Sequence, residues 1–263
     1  MIDRLFRQLP SRSCTIRIDP DASVAPIRET VERLFDTQPV AVTGGPVDGG
    51  GIEVIRDGER IASSSADELL QAVLLVNSDV YISGSRPLED CRLPEVLCAL
   101  DEIPFLVRGY PNSDTEKLLL IAVSREIERL AYERGRGTLL VGFQQLSRLV
   151  EEPGTSHVYE RLSETELDIH AYGVEDVSLP AEFDLTVHTG DSHFYRRSWF
   201  VVFQPPSDDH PTTRAAGLFS TERGPNRWDG FWTFDADRVD AIARTVAEQT
   251  SGNAAESSEV PRR

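Results

Sequence analysis

The sequence predicts an α/β protein with a central mixed sheet flanked by helices, in which the later strands are partly antiparallel. Segments with period-two alternation interleave with segments of helical spacing through the first part of the chain, and strand-like segments then follow one another directly. The run Trp-Phe-Val-Val-Phe at 199–203 is apolar on both alternating faces. Such a run is typical of a central strand that is covered on both sides.

The N-terminal part of the chain alternates strand and helix patterns. Residues 14–18 predict a strand, 24–35 a helix and 39–43 a second strand. The segments 52–55 and 60–62 flank Asp57-Gly58 and predict a hairpin, because this pair favours tight two-residue turns.

A glycine-rich stretch at 44–51 follows a strand, as a phosphate-binding loop would. It leads into another strand and contains no Gly-Lys-Ser/Thr sequence, so we interpret it as a flexible hairpin loop.

The next elements are a helix at 66–76, a strand at 80–82, a helix at 94–100 that begins with proline, and a strand at 104–107. We assign residues 1–102 to an N-terminal α/β region. The sequence leaves open whether this region is a separate domain or part of one larger domain.

The longest predicted element is a helix at 114–134, which begins with a capping box formed by Ser113 and Glu116. Its first half, 118–123, is apolar all round and predicts burial. The second half continues one apolar stripe and has charged residues on the opposite face: Arg125, Glu128 and Arg129.

The remaining chain predicts mainly strands. The predicted strands lie at 138–143, 167–174, 184–188, 199–203 and 215–220, and the predicted helices at 145–150, 156–165 and 236–250. A polar tail at 251–263 is rich in Ser, Ala and Glu and predicts disorder.

Charge and composition restrict the function. The chain has 26 Arg but a single Lys, Lys117, against 44 acidic residues, and its net charge is −17. Such a surface is typical of a salt-adapted cytoplasmic protein and argues against nucleic-acid binding, which depends on clustered cations. The N-terminus has no apolar stretch of signal-peptide length, and no apolar run is long enough to span a membrane. Three cysteines without metal-site spacing are interpreted as buried apolar residues.

One candidate site combines polar residues on two predicted strands. His170 and Tyr172 share one alternating face, as do Thr186 and His188. If the two strands are neighbours, this face would line a cavity in which a histidine binds a ligand, acts as an acid or base, or coordinates a metal together with His193. The alternative is a solvated sheet face, or buried imidazoles whose hydrogen bonds are satisfied within the protein. Metal binding ranks last, since no Asp, Glu or Cys pattern supports it.

A second candidate lies where the strand at 138–143 ends. Carboxyl ends of strands are common ligand sites in α/β sheets, and Gln144 and Arg148 suit a carboxylate or similar acceptor. The alternative is helix capping with a salt bridge from Arg148 to Glu151 or Glu152. The two candidates together form one predicted ligand pocket, lined by Phe143, Gln144, Arg148, His170, Tyr172 and His188.

Aromatic residues cluster at Trp228, Phe231, Trp232 and Phe234. We interpret Trp228 and Trp232 as joining the last helix to the sheet. The alternative is an exposed patch that binds a partner.

The order of several short motifs from Glu116 to Thr250 resembles the DICT sensory domain of diguanylate cyclases and two-component systems. The motifs are Glu116-Lys117-Leu118-Leu119-Leu120-Ile121, Ser124-Arg125-Glu126-Ile127-Glu128, Gly142-Phe143-Gln144, Leu146-Ser147-Arg148, Gly154-Thr155-Ser156-His157-Val158-Tyr159, Asp168-Ile169-His170-Ala171-Tyr172-Gly173, Ser198-Trp199-Phe200-Val201-Val202-Phe203 and Gly230-Phe231-Trp232-Thr233. With Asn77-Ser78-Asp79 and Arg108-Gly109-Tyr110-Pro111, the chain also resembles the stand-alone form of salt-adapted archaea. We assign 103–250 to this DICT-like domain.

The resemblance implies a cytoplasmic signal-input module in a family suggested to take part in light responses. It brings no established catalytic residue, cofactor or ligand. The sequence therefore predicts a non-enzymatic sensor that binds a small molecule or chromophore and signals through a partner protein or an oligomer. The alternatives are an enzyme that uses His170 or His188 as acid or base, and an adaptor without a ligand.

Overall fold

The computed structural model describes residues 2–20, 25–78, 80, 83–108, 115–207 and 213–251. The helices are α1 (Ile2–Arg7), α2 (Ala25–Phe35), α3 (Ala66–Ser78), α4 (Glu95–Cys98), α5 (Thr115–Arg134), α6 (Arg148–Glu151), α7 (Pro153–Ser163), α8 (His193–Arg197) and α9 (Ala236–Ser251). The strands are β1 (Cys14–Ile18), β2 (Val40–Gly44), β3 (Ile52–Arg56), β4 (Glu59–Ser64), β5 (Phe105–Arg108), β6 (Arg136–Gln145), β7 (Glu166–Val174), β8 (Thr186–Thr189), β9 (Ser198–Gln204), β10 (Ala216–Gly224) and β11 (Arg227–Thr233). They form two mixed sheets flanked by helices, which confirms the predicted fold class.

The smaller sheet has four strands in the order β2-β1-β3-β4. β1 and β2 are parallel and are connected through α2, and β3 and β4 form the predicted hairpin. Asp57 and Gly58 at its turn have φ of +53° and +91°, the left-handed values that a type I′ turn needs at both central positions.

The glycine-rich stretch is not a hairpin loop, so that prediction is wrong. β2 and β3 are not neighbours, because β1 lies between them. The loop after Gly44 therefore crosses the end of β1 to reach β3. At Gly51 φ is +98°, and a side chain there would place its Cβ 2.6 Å from the Ser64 carbonyl oxygen, so only glycine fits.

The larger sheet has seven strands in the order β5-β11-β10-β9-β6-β7-β8. β6, β7 and β8 are parallel, and the remaining pairs are antiparallel. β9 is the fourth of the seven strands, and residues 200–203 are buried on both faces, as the unbroken apolar run predicts.

The two faces of this sheet pack against different helices. On the face that we call the α5 face, residues such as Val141, Val201 and Leu218 form one apolar cluster with residues of α5 and α7. On the opposite face, the α9 face, Phe200 and Phe219 pack with residues of α8 and α9.

Within the N-terminal region, α3 packs against the side of α5 that faces away from the larger sheet, whereas α1 packs on the α9 face, where the Phe6 ring lies 5.3 Å from that of Phe231. Gln38 binds the edge strand β5: its Nε2 donates to the Leu106 carbonyl at 2.8 Å and its Oε1 accepts from the Leu106 amide at 2.7 Å. The Gln38 side chain thus occupies the N–H and C=O groups of Leu106, with which another strand would otherwise pair. The division at residue 102 stays a prediction.

Because α5 is covered on both sides, it is buried far beyond its apolar first half. Arg125, Glu126, Glu128 and Arg129 are all buried, although the charges of the second half indicated a solvent-facing side. Each is neutralised by an ion pair within the helix, Arg125 with Glu128 and Arg129 with Glu126.

Several elements differ from the predictions. Three were not predicted: α1, α8 and β11. α7 begins at Pro153, before the predicted start at residue 156, because proline fits the first helical position. The capping residue Ser113, the strand at 80–82 apart from Val80, the Asp79 and Gly109–Pro111 parts of two motifs, and the tail beyond 251 lie outside the described residues.

The C-terminal aromatic residues join different layers from those we expected. Trp232 is buried on the α5 face, where its ring lies 5.9 Å from that of Phe105, so it does not join α9 to the sheet. Phe231 makes that contact on the α9 face. Trp228 is half-buried against the α5-face cluster, so the aromatic patch that an adaptor would need is not exposed.

Within the described residues, no helix has the length and apolarity needed to cross a bilayer. Cys14 and Cys91 are buried and Cys98 is half-buried. Burial raises the pKa of Cys98 to about 12, which makes its thiol unreactive.

Candidate functional site

The six predicted site residues form two groups on opposite faces of the larger sheet. Phe143, Gln144 and Arg148 lie on the α5 face, where they line a cavity. His170, Tyr172 and His188 lie on the α9 face, because they alternate along β7 and β8 with residues such as Ala171 that point to α5. The structure thus contains two separate groups of three rather than one shared pocket.

The first group borders a cavity that we call the α5 cavity, of about 50 Å³, between α5, β9 and the carboxyl end of β6. It is partly open to solvent. Its apolar walls are Val80, Ile121, Phe143, Trp199 and Val201. The volume corresponds to one or two water molecules, so the cavity admits a small chemical group in this conformation.

Buried charges form the floor of the α5 cavity. Arg125 donates to Glu128 at 2.5 Å and to the Thr155 hydroxyl at 3.1 Å, and the Tyr159 hydroxyl donates to Glu128 at 2.9 Å. Burial alone would lower the pKa of Arg125, but Glu128 raises it, so the guanidinium stays charged. Burial and Glu128 raise the pKa of Tyr159 well above its ordinary value, so the phenol stays protonated.

Three more charged side chains line the cavity: Glu152, Lys117 and Arg148. Glu152 accepts a hydrogen bond from the Thr155 hydroxyl at 3.1 Å and lies at the N-terminus of α7, where the helix dipole favours a negative charge. Lys117, the single lysine of the chain, also lines the cavity. Arg148 is half-buried, and among the described residues nothing forms a hydrogen bond or an ion pair with its guanidinium.

The predicted alternative for Arg148, a salt bridge to Glu151 or Glu152, is therefore not found among the described residues. Ser147 does not cap α6 with its side chain; its hydroxyl donates to Asp176 at 2.8 Å instead. The loop between β6 and α6 is thus anchored at Ser147, directly before Arg148.

Gln144 has an unusual backbone conformation at the edge of the cavity. Its φ is +64°, a left-handed value that a non-glycine residue rarely adopts, and the β6–β7 register shifts between Gly142 and Gln145. Bulges of this kind redirect side chains next to functional sites, and backbone strain concentrates there.

The second group contains a chain of three hydrogen-bonding groups. Asp168 Oδ2 lies 3.0 Å from His170 Nε2, and His170 Nδ1 lies 2.9 Å from His188 Nε2. The Asp168 carboxylate can only accept, so His170 Nε2 carries the hydrogen that it donates to Asp168. In the neutral imidazole, His170 Nδ1 is then the acceptor, and His188 donates its Nε2–H to it. His188 also stacks on Tyr172 with ring centroids 4.4 Å apart. β7 and β8 are neighbours, as this candidate site required.

Burial and the neighbouring His170 lower the pKa of His188. The hypothesis of a metal site with His193 gains no support: in the part of the chain that the structure describes, no group of three His, Cys, Asp or Glu residues is placed to bind a metal ion.

The structure also contains a larger cleft of about 580 Å³, which the sequence analysis missed. This junction cleft lies between the N-terminal region and α5, and its walls include Ser64, Glu68, Leu93, Glu126 and Arg129. The Glu126 carboxylate accepts a hydrogen bond from the Leu93 amide N–H at 3.0 Å and another from the Arg129 guanidinium. No local motif marks the cleft, because it forms only where distant segments meet.

Comparison with known proteins finds a family model that matches part of the chain. Residues 99–213 match the model of the DICT family, described as a sensory domain in diguanylate cyclases and two-component systems. The match covers less than half of the chain and supports a signal-sensing role for this segment. No curated protein matches the chain.

Among solved structures, the chain is similar to a polyphosphate kinase from Porphyromonas gingivalis with 12% sequence identity and a TM-score of 0.33. The alignment covers 93% of this chain and 46% of that chain. A similarity this low carries no argument about fold or function.

Proposed function

We propose that this protein is a cytoplasmic signal-sensing module in which the α5 cavity binds a small molecule and passes the signal to a partner protein. The observation that carries the proposal is a cavity that combines buried charges, a strained backbone position and the Arg148 guanidinium, which has no partner among the described residues. Apart from Val80, its lining lies within the segment that matches the sensory family.

The size of the cavity favours a small molecule over a chromophore. An apolar cavity of about 150 Å³ accepts benzene, and the α5 cavity has about 50 Å³. A chromophore, and with it a response to light, requires the cavity to enlarge. An absorption spectrum of protein purified from its natural host tests this part: visible absorption would support a light response, and a colourless protein with a bound ligand would exclude one.

The middle turn of α5 offers a route for the signal. Arg125 and Glu128 face the α5 cavity, whereas Glu126 and Arg129 face the junction cleft, where Glu126 binds the Leu93 amide. A ligand that shifts this turn would change how α5 contacts the N-terminal region. We expect ligand binding to alter amide hydrogen exchange at Leu93 and its neighbours.

Native mass spectrometry of the protein purified from its host tests ligand binding. We expect a bound small molecule in the wild type, its loss in Trp199→Ala, which opens the cavity wall, and its retention in Trp228→Ala, a matched control on the same sheet. A wild-type protein without ligand under every growth condition would overturn the proposal. Equal loss in both variants would exclude the α5 cavity as the site.

A second candidate function is an enzyme that uses the pair His170 and His188 as acid or base. The chain from Asp168 through both imidazoles favours it, because a carboxylate that orients a histidine is a common catalytic arrangement. Hydrolysis of p-nitrophenyl acetate provides a probe. A hydrolysis rate that rises as a single histidine deprotonates, and that is lost in His188→Gln, would support the enzyme. A hydrolysis rate that is unchanged in this variant would exclude it.

A further inference from the structure

We infer that the ligand of the α5 cavity is a small monocarboxylate and that Arg148 binds its charge. This inference rests on the proposed function and specifies the chemistry of the same site. It places the carboxylate inside the cavity and the body of the ligand against Trp199.

The charged side chains that line the α5 cavity favour a negatively charged ligand. Lys117, Arg125 and Arg148 face two carboxylates, Glu128 and Glu152, in a chain whose net charge is −17. Both carboxylates are engaged by protein donors. The guanidinium of Arg148 is the cation without a partner among the described residues, and it presents donors in a planar fork that matches a carboxylate.

An N–H donor of Arg125 on the cavity floor also favours an anionic ligand. Arg125 Nε is buried and finds no hydrogen-bond partner in the described part of the chain, although the other two nitrogens of its guanidinium donate to Glu128 and Thr155. Buried N–H groups are nearly always paired in folded proteins. An oxygen of a bound ligand would supply the missing acceptor.

Size and charge favour a monocarboxylate over a phosphate. The α5 cavity, with a volume of about 50 Å³, admits only the charged group of a ligand, a few heavy atoms in size. A phosphate would bring up to two negative charges next to Glu128 and Glu152, and Arg148 would offset one of them. The half-buried Trp199 and the ring of Phe143 provide an apolar surface for the rest of a carboxylate ligand.

Binding of acetate and benzoate, with acetamide and benzamide as neutral analogues of the same shape, tests the inference by calorimetry and by the NMR shifts of the tryptophan indole N–H groups. We expect benzoate to bind at least about 10-fold more tightly than benzamide. Arg148→Gln should weaken benzoate binding about 10- to 100-fold, the loss expected for a hydrogen bond to a charged group, and should leave benzamide unaffected. Arg244→Gln, which removes an exposed arginine from α9, is the control with the same charge change and should bind like the wild type.

Three results would overturn the inference: equal affinities for acid and amide, undiminished benzoate binding by Arg148→Gln, and no binding of either carboxylate. Tighter binding of inorganic phosphate than of benzoate would also overturn it. The ligand found by native mass spectrometry separates this inference from the proposed function. A neutral or cationic native ligand lost in Trp199→Ala would overturn the carboxylate while the sensor proposal stands, and an empty protein would overturn both.

Discussion

The two faces of the seven-stranded sheet use the same strands in opposite ways. β9 presents Trp199 and Val201 to the α5 face, and Phe200 and Val202 to the α9 face. The α9 face is filled by aromatic rings, with Phe200 and Phe219 stacked at 6.3 Å between ring centroids. The α5 face contains ion pairs on one turn of a buried helix and the α5 cavity beside them.

The difference shows what each kind of packing does. Aromatic and aliphatic side chains fill space without directional demands, and on the α9 face they pack around Phe200 and Phe219. Buried ionic groups must keep their hydrogen-bonding geometry, and the side chains around them cannot all move inward to fill the remaining volume. The cavity thus lies on the face where charge, rather than apolar contact, determines the arrangement.

The largest effect should come from breaking the ionic arrangement. Glu128→Ala leaves Arg125 as an uncompensated buried cation and removes the acceptor of Tyr159, so we expect a loss of about 3–5 kcal/mol in the free energy of unfolding, measured with urea. Glu29→Ala is the control, since its ion pair with Arg33 is solvent-exposed and should contribute less than about 0.5 kcal/mol.

A double variant sharpens this test. Replacing Arg125 and Glu128 together with Met removes both charges, and it should destabilise the protein less than Glu128→Ala does. If Glu128→Ala costs as little as Glu29→Ala, the α5 face does not depend on its charges and the comparison fails.

A smaller effect should follow from overfilling the α9 face. Gly142→Ala would place a Cβ 2.3 Å from Cε1 of Phe200, and we expect a loss of about 1–3 kcal/mol in the free energy of unfolding. Gly224→Ala on β10 is the control, because among the described residues, its two chain neighbours apart, no atom lies within 4 Å of its new Cβ. Adding Phe200→Leu should recover part of the loss, and equal stabilities of the two alanine variants would show that the α9 face is loosely packed.

The smallest effect concerns the polar edge of the α9 face. The pKa of His188 is lowered in the folded protein, so the unfolded chain binds this proton more readily. Its contribution to stability is therefore present above the unfolded pKa, near 6.5, and decreases as the pH falls through that value toward the folded pKa.

Urea titrations between pH 5 and pH 8 measure this decrease. The wild type should lose more stability on acidification than His188→Gln, in which the group cannot titrate. Identical pH dependences of the two proteins would contradict the assigned environment of His188.

Local patterns were sufficient to predict many of the elements. The hairpin at Asp57-Gly58 follows from its turn residues, and β9 follows from an apolar run that needs cover on both sides. β11 was missed because its aromatic residues indicated a packing cluster rather than a strand, and α8 because a helix of five residues has too little periodicity to detect.

The candidate site could be predicted in its parts but not in its arrangement. Gln144 and Arg148 follow a strand, and the carboxyl end of a strand is a recognisable position for a ligand site. Arg125 and Glu128, on the cavity floor, were missed as site residues, because a charged helix face normally indicates solvent. Their burial depends on Tyr159 and on the N-terminal region, both distant in sequence.

The sequence by itself determined the alternation of strands and helices, the central position of β9 and the residue types available for binding, since these depend on neighbours along the chain. The tertiary structure alone decided that α5 is covered on both sides, that Phe143 and Tyr172 lie on opposite faces of one sheet, and that a cavity remains beside Arg148. Side-chain alternation places neighbouring residues on opposite faces, but which face meets which helix depends on packing between distant segments.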